Sequence, residues 1–238
     1  VLAMLTDAGY QGWLVGGCVR DGLLGRAVAD VDIATDARPQ TVMALAEAKG
    51  FSAVPTWIAH GTVTVVAEGA PYEVTTFRRD TKTDGRRAVV AFSDRLEEDA
   101  ARRDFTMNAL YADAAGKVTD PVGGLADLKA RRIRFVGVAE ERVREDYLRI
   151  LRFFRFQAWF GDPETGMDPE ALAAIAVNAE GIDTLSRERI GHEMRRLLAA
   201  SDPAPALAAM VATGVLARAL PGADPRLIEP LVDLEGGD

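Results

Sequence analysis

The chain has 238 residues, 48% apolar and 27% charged, enough for one large domain or two modest ones, with no apolar run of about 18 residues that would span a membrane. A single cysteine, Cys18, excludes an internal disulfide framework and fits a reducing cytoplasm, and two histidines leave too little for a zinc site, so any metal should be hard and carboxylate-bound. The net charge of −8 argues against a generic nucleic-acid binder, yet residues 129–155 hold nine basic against four acidic groups, a basic segment in an acidic chain.

The opening "VLAMLTDAG" is short and amphipathic, without the basic flank or cleavage pattern of a signal peptide. "GWLV" reads as a buried strand, and the Gly16-Gly17 turn leads into a helix "CVRDGLL" stopped by Gly25. "DVDIA" alternates as a half-buried strand does. "RPQTVMALAEAKG" has Pro39 near its start and Gly50 past its end, the asymmetry of a helix. "GTVTVVA" and "YEVTTF", separated by "EGAP", predict a β-hairpin, and residues 78–92 begin polar and glycine-containing, as a loop does.

After Ser93 the pattern turns helical. "DRLEEDARRDFTMNALYA" predicts two short helices, "KVTD" and "IRFVG" two strands, and residues 139–160 one long helix. "DPEALAAIAVNA", "SRERIGHEMRRLLAA" and "APALAAMVATGVLARAL" carry helix-capping signals. The expected class is α+β: a mixed-sheet domain over 1–135, a helical domain over 136–200, and the start of a further helical segment over 201–238.

Asp30 and Asp32 are two apart and so share a strand face, and Glu73 sits between apolar residues on a later strand. If those strands are neighbours, three carboxylates converge, a cluster that needs cations to neutralise it. Oxygen-only ligands suit Mg²⁺, and two such ions hold a triphosphate and lower the pKa of an attacking hydroxyl. Read alone, Asp30 and Asp32 are equally well two exposed acids on an edge strand. The Gly16-Gly17 turn lets backbone amides approach a phosphate at a helix start, and Arg20, one turn on, can pair with phosphate oxygens. The turn lacks the G-x-G-x-x-G spacing of a dinucleotide site.

An apolar-Gly-Gly turn, then Asp-Val-Asp-Ile, then a later apolar-Glu-apolar resembles the signature of the DNA polymerase beta nucleotidyltransferase superfamily. "LVGGCVRDGLLG…DVDIATDA", "RRDFTMNAL", "DPVGGLADL", "REDYLRILRFFRF" and "RERIGHEMRRLL" stand in the order of the class II tRNA nucleotidyltransferases, the bacterial-type CCA-adding enzymes and their poly(A) polymerase relatives. The resemblance covers roughly residues 12 to 200. It implies a head domain with catalytic Asp30, Asp32 and Glu73, metal held on Asp30 and Asp32, and a helical neck that selects the base.

On a continuous helix, Arg142, Asp146 and Arg149 share one face, opposite Tyr147, Leu151, Phe154 and Ala158. An Asp accepts from an exocyclic amine and an Arg donates to a ring nitrogen or carbonyl, so such a pair accepts cytosine and adenine and rejects uracil and guanine. The plain alternative is a surface ion pair. The resemblance assigns base reading to Asp146 and Arg149, with Glu145 orienting them, and continues the basic row with Arg152 and Arg155. It puts Arg103, Asp104 and Asn108 near triphosphate and ribose, and gives Glu188 and Arg189 a bracing role. His60 and Cys18 read as packing or loop residues, and the basic segment 129–155 as the part that meets triphosphate and RNA.

The implied activity is Mg²⁺-dependent addition of CCA to tRNA 3′ ends from CTP and ATP, in the cytoplasm. Retention of the 78–92 loop and the "HGTVTVV" stretch favour CCA addition over CC-only addition and polyadenylation. The other readings are poly(A) polymerase, and a non-catalytic nucleotide- or RNA-binding module. The family is usually longer, so a fragment or a missing tail is expected. The sequence leaves the oligomeric state open.

Overall fold

The computed structural model describes residues 1–80 and 90–236, and the chain divides into two compact units, Val1–Leu125 and Ala126–Asp238. The division falls ten residues before the expected boundary at 135, and the two expected helical parts lie together in the second unit.

The first unit is built on a seven-stranded mixed sheet. Its strands are β1 (Trp13–Val15), β2 (Asp32–Thr35), β3 (Ser52–Trp57), β4 (Thr62–Ala67), β5 (Ala70–Thr76), β8 (Tyr111–Ala112) and β9 (Val118–Thr119), in the order β3-β4-β5-β2-β1-β8-β9. Only β2 and β5 run parallel; the other neighbours are antiparallel. A separate ribbon pairs β6 (Arg78–Asp80) with β7 (Val90–Phe92), so the ends of the expected loop are strands. Residues 81–89, the rest of that loop, lie outside the described residues.

Helices α1 (Leu2–Asp7) and α3 (Pro39–Ala48) cover one sheet face. Met4, Leu5, Val42 and Ala46 pack there against Ile33, Val63, Val65 and Val74, every second residue of their strands. Pro39 begins α3 with its φ already helical, and Gly50 ends it at φ +76. The β4–β5 turn is tighter than expected. Glu68 and Gly69, at φ +53 and +80, make a two-residue connection, and Ala70-Pro71 already belong to β5. Helices α2 (Gly17–Leu23), α4 (Leu96–Ala101) and α5 (Gly124–Lys129) complete the unit's framework, α5 running across its boundary.

The second unit is helical: α6 (Ala139–Glu145), α7 (Leu148–Phe160), α8 (Pro169–Val177), α9 (Arg187–Leu198), α10 (Ala204–Ala212), α11 (Val215–Ala219) and α12 (Ile228–Glu235). "IRFVG" forms no strand of the sheet; Ile133 and Phe135 are buried, with Phe135 stacked on Phe153 of the second unit at 5.8 Å. α7 buries Ile150, Leu151, Phe153, Phe154 and Phe156 and packs on α9 and α10.

The expected single helix over 139–160 is two. Asp146 leaves the helical region at φ −152, and its carboxylate accepts from the Leu148 amide at 3.1 Å, capping the start of α7. Side chains on either side of this break therefore do not share the face that a continuous helix would give them. Among the described residues no helix is long and apolar enough to cross a membrane.

Candidate active site

In the first unit the site lies on the sheet face turned away from the core. Ile33 and Val74 point into that core, so their predecessors Asp32 and Glu73 point the opposite way. These two acids are register partners across the parallel β2·β5 pair. Asp30 precedes β2 as exposed coil, so its orientation is not set by strand alternation. It remains within electrostatic reach. Burial first, then Glu73 and Asp30, push the Asp32 carboxyl above its ordinary value, while Arg103 pulls the other way. Among the described residues no three His, Cys, Asp or Glu side chains close on one point as a ready metal cage.

Gly16 makes the turn between β1 and α2 at φ +76, a conformation that favours glycine. A Cβ there would lie 3.4 Å from Arg103 Nη1, and one on Gly17 would lie 3.7 Å from Arg20 Nη2. The turn thus has a guanidinium on each side. Cys18 Sγ donates to the Val15 carbonyl at 3.3 Å, and burial raises its thiol pKa, so it is a packing residue. His60 is exposed, and its carbonyl accepts from Arg78.

Arg20 does not stand ready for phosphate oxygens. It is buried, donates through Nε and Nη2 to Asp21 at 2.9 Å each, and through Nη1 to Asn108 Oδ1 at 2.7 Å. Asn108 Nδ2 donates in turn to Asp104 Oδ1 at 3.0 Å. Arg20 therefore braces α2 against the "RRDFTMN" segment and orients Asn108. Gly124 of "DPVGG" packs so closely on that segment that a Cβ would lie 2.1 Å from the Thr106 carbonyl oxygen.

Asp99, Arg102 and Tyr111 were not singled out in the sequence. Asp99, 1% exposed, accepts from Arg102, Arg103 and the Tyr111 hydroxyl. Burial alone would raise its pKa, but the charges of Arg103 and Arg102 and the hydrogen bonds from Arg102 and Tyr111 prevail and hold it at about 2. The i, i+3 and i, i+4 spacing from Asp99, on α4, to Arg102 and Arg103 just past its end was the available signal.

In the second unit Asp146 and Arg149 do not pair with each other. Asp146 takes Arg189 Nη2 on both carboxylate oxygens, at 3.1 and 2.8 Å. Arg149 Nη1 donates to Glu145 at 2.6 Å and to the Arg142 carbonyl at 3.0 Å, and Arg142 also meets Glu145. Arg189, for which the resemblance implies a bracing role, thus meets Asp146, the residue expected to read the base. Arg152 is half-buried, its guanidinium 5.5 Å from the Phe156 ring centre.

Arg155 departs from the expectation. It is 5% exposed and donates to Glu193 at 2.6 Å, a buried pair that pins α7 to α9, so it does not extend a basic row. Desolvation lowers its pKa despite that partner. Most arginines of the basic segment are likewise ion-paired. Arg132 and Arg134 close on buried Asp127, Arg144 on Glu140, and Arg142 and Arg149 on Glu145. These five arginines share three carboxylates, so the segment keeps a net positive charge while each arginine has a folding partner.

Residues 12–134 match the family described as "Poly A polymerase head domain", and residues 166–227 the one described as "Probable RNA and SrmB- binding site of polymerase A". The CCA-adding enzyme of Geobacillus kaustophilus (strain HTA426) is 44% identical over 224 residues, covering 93% of this chain and 54% of that protein. The crystal structure of the Bacillus stearothermophilus CCA-adding enzyme in complex with CTP aligns with a TM-score of 0.82 at 43% identity, over 93% of this chain and 52% of that one. A tRNA nucleotidyltransferase complexed with a primer tRNA and an incoming ATP analog aligns with a TM-score of 0.77 at 27% identity, over 98% of this chain and 66% of that one. The chain spans about half the length of the curated relatives it matches. With the mixed sheet, the glycine turn and the acid pair all in place, the chain belongs to the poly(A) polymerase head-domain family of nucleotidyltransferases.

Proposed function

We propose that this chain carries the catalytic and nucleotide-selecting parts of a Mg²⁺-dependent, cytoplasmic nucleotidyltransferase that adds CCA to tRNA 3′ ends from CTP and ATP and releases pyrophosphate. The observation that carries this reading is the Asp32–Glu73 register pair on the open sheet face, with Asp30 and Arg103 in electrostatic reach. Support for CCA addition comes from the relatives of that name at 44% identity.

The acids fit a hard divalent cation. Burial and then the like charges of Glu73 and Asp30 hold Asp32 above its ordinary pKa, and a bound cation relieves that cost. A three-acid cage is not needed, because Mg²⁺ commonly takes one or two protein carboxylates and completes its octahedron with phosphate oxygens and water. Asp30 and Asp32 would hold it. The ion, when bound, would supply Lewis-acid polarisation of phosphoryl oxygens and acidify a hydroxyl.

The other parts fall to the chain's own side chains. The Gly17 amide and the Arg103 guanidinium meet triphosphate oxygens, the Gly16 amide being taken by the Leu110 carbonyl at 3.3 Å. Asp104, oriented by Asn108, accepts from a ribose hydroxyl, which favours ribonucleotides. Asp146 accepts from the exocyclic amine of cytosine or adenine while Arg149 donates beside it, and Glu145 and Arg189 fix their directions. Glu73 assists at the acid cluster.

The test incubates the chain with Mg²⁺ and a tRNA lacking its terminal CCA, with each labelled nucleotide separately and then together. Two C residues followed by one A are expected. Open-ended A addition would reassign the chain to polyadenylation, and nucleotide binding without any addition would reduce it to a binding module.

A further inference from the structure

We propose that Asp99 is a positioning residue for triphosphate recognition, acting through a closed hydrogen-bonded ring with Arg103 and Tyr111 that aims one edge of the Arg103 guanidinium at the Gly16 turn. The proposal rests on the nucleotidyl-transfer reading above.

The ring has three sides. Arg103 Nη2 donates to Asp99 Oδ2 at 2.9 Å, the Tyr111 hydroxyl donates to the same oxygen at 2.8 Å, and Arg103 Nε donates to the Tyr111 oxygen at 3.1 Å. A guanidinium is planar with its five N–H groups in fixed directions, so fixing Nε and Nη2 fixes Nη1 as well. Nη1 makes one long contact, 3.5 Å to the Asn108 carbonyl, and lies 3.4 Å from the Cβ position of Gly16. That is the donor edge that faces the turn.

Asp99 itself cannot touch a nucleotide. Its other oxygen accepts from Arg102 Nε and Nη2 at 2.8 and 2.6 Å and from the Arg78 amide at 3.3 Å, and the residue is 1% exposed. One carboxylate between two guanidinium groups leaves a net positive charge. Arg103 brings that charge to the side of the acid cluster, where it opposes the rise in the Asp32 pKa that burial and Glu73 cause. A cation held rigidly at a phosphate-binding turn avoids the ordering cost that a flexible arginine incurs on binding. The ring's ligand is therefore the polyanionic end of the nucleotide, not its base or sugar.

The experiment measures equilibrium binding of CTP and CMP, with Mg²⁺, to the 238-residue chain and to Asp99→Asn, Arg103→Lys, the double variant and Tyr111→Phe, alongside thermal unfolding. The unmodified chain should prefer CTP. Asp99→Asn should lose about tenfold in CTP affinity and change CMP affinity less than about twofold, the scale of one misaligned charge-assisted hydrogen bond. Adding it to Arg103→Lys should cost nothing more. Tyr111→Phe, which keeps the ion pair and the packing, should shift CTP alone by a smaller factor, and it decides the matter if Asp99→Asn does not fold. Equal losses for CTP and CMP, or additive losses in the double variant, would reduce Asp99 to a structural residue and leave the functional reading standing. An unmodified chain that binds neither nucleotide would remove both.

Discussion

Asp146 and Arg189 stand 43 residues apart in the chain and meet through both oxygens of one carboxylate. The pair ties the break between α6 and α7 to the first turn of α9, and it does so at a residue that also caps α7 through the Leu148 amide. A carboxylate held from two sides has a defined acceptor direction, as the base-reading role proposed for Asp146 requires.

Arg189→Gln should therefore alter selection more than stability. Both partners are more than a third exposed, so the pair is worth under about 1 kcal/mol to the fold. Freed from Arg189, Asp146 keeps only its cap bond, and discrimination of CTP from UTP should fall by about tenfold, the equivalent of about 1.4 kcal/mol. The ratio of C to U incorporation checks this beside the melting temperature. An unchanged ratio would leave Arg189 a surface ion pair.

Asp32→Asn should separate stability from chemistry. The folded-state pKa of Asp32 is raised by burial and then by Glu73, so ionisation is less favourable in the folded chain than in the unfolded one. Its protonated form stabilises the fold at low pH, and that contribution is lost as pH rises through the folded value. In chelator-treated protein at pH 7, Asp32→Asn should melt above the unmodified chain, and the gap should close below about pH 4, where both Asp states are protonated. Mg²⁺ should raise the melting point of the unmodified chain and not that of the variant, which should have no transferase activity. A variant that melts lower at pH 7 and still responds to Mg²⁺ would refute the acid-cluster account.

The Arg155–Glu193 pair gives the opposite pattern. Removing one member leaves a buried charge unpaired, so Glu193→Gln should cost about 3–5 kcal/mol in denaturant unfolding. Replacing both, as Arg155→Met with Glu193→Leu, should recover most of that loss. The double variant should bind CTP as the unmodified chain does. Weakened CTP binding in a stable double variant would restore Arg155 to the nucleotide-facing row.

The first unit was legible wherever local pattern decides structure. Alternation in "DVDIA" and "YEVTT" turned Asp32 and Glu73 to one face, and the mixed sheet made their strands neighbours. Alternation also assigned Asp30 to that face, but strand β2 begins only at Asp32, so the rule does not reach it. In the second unit the determining partners are far off in sequence. Helical spacing ran through Asp146 because nothing nearby marks a break: the residue leaves the helix by capping α7 and is held by Arg189. Arg155 reads as exposed until α9 brings Glu193 to it, and the arginines of the basic segment read as free for a ligand until Asp127, Glu140 and Glu145 are seen to hold five of them. Asp99 was within reach of the sequence, since its spacing to Arg102 and Arg103 is that of a helical ion pair.

Gly181 offers a test of the α6–α7 break that leaves every charged group in place. It follows α8 in a 3-10 turn spanning Ala179–Thr184, is buried, and has an ordinary backbone conformation. A Cβ there would lie 2.1–2.3 Å from three ring carbons of Tyr147, the residue after Asp146. The ring is too stiff to yield by that much, so Gly181→Ala must displace Tyr147 and with it the start of α7. The expected cost is about 1–3 kcal/mol, the range for overpacking. Tyr147→Ala empties the same space and should rescue the Gly181→Ala clash, so the double variant should be less destabilised than the sum of the two single changes. If Tyr147 sets the direction in which Asp146 emerges from the break, Gly181→Ala should also loosen CTP-over-UTP selection, as Arg189→Gln does. Additive destabilisation in the double variant would place Tyr147 elsewhere in solution and detach the break from its packing against Gly181.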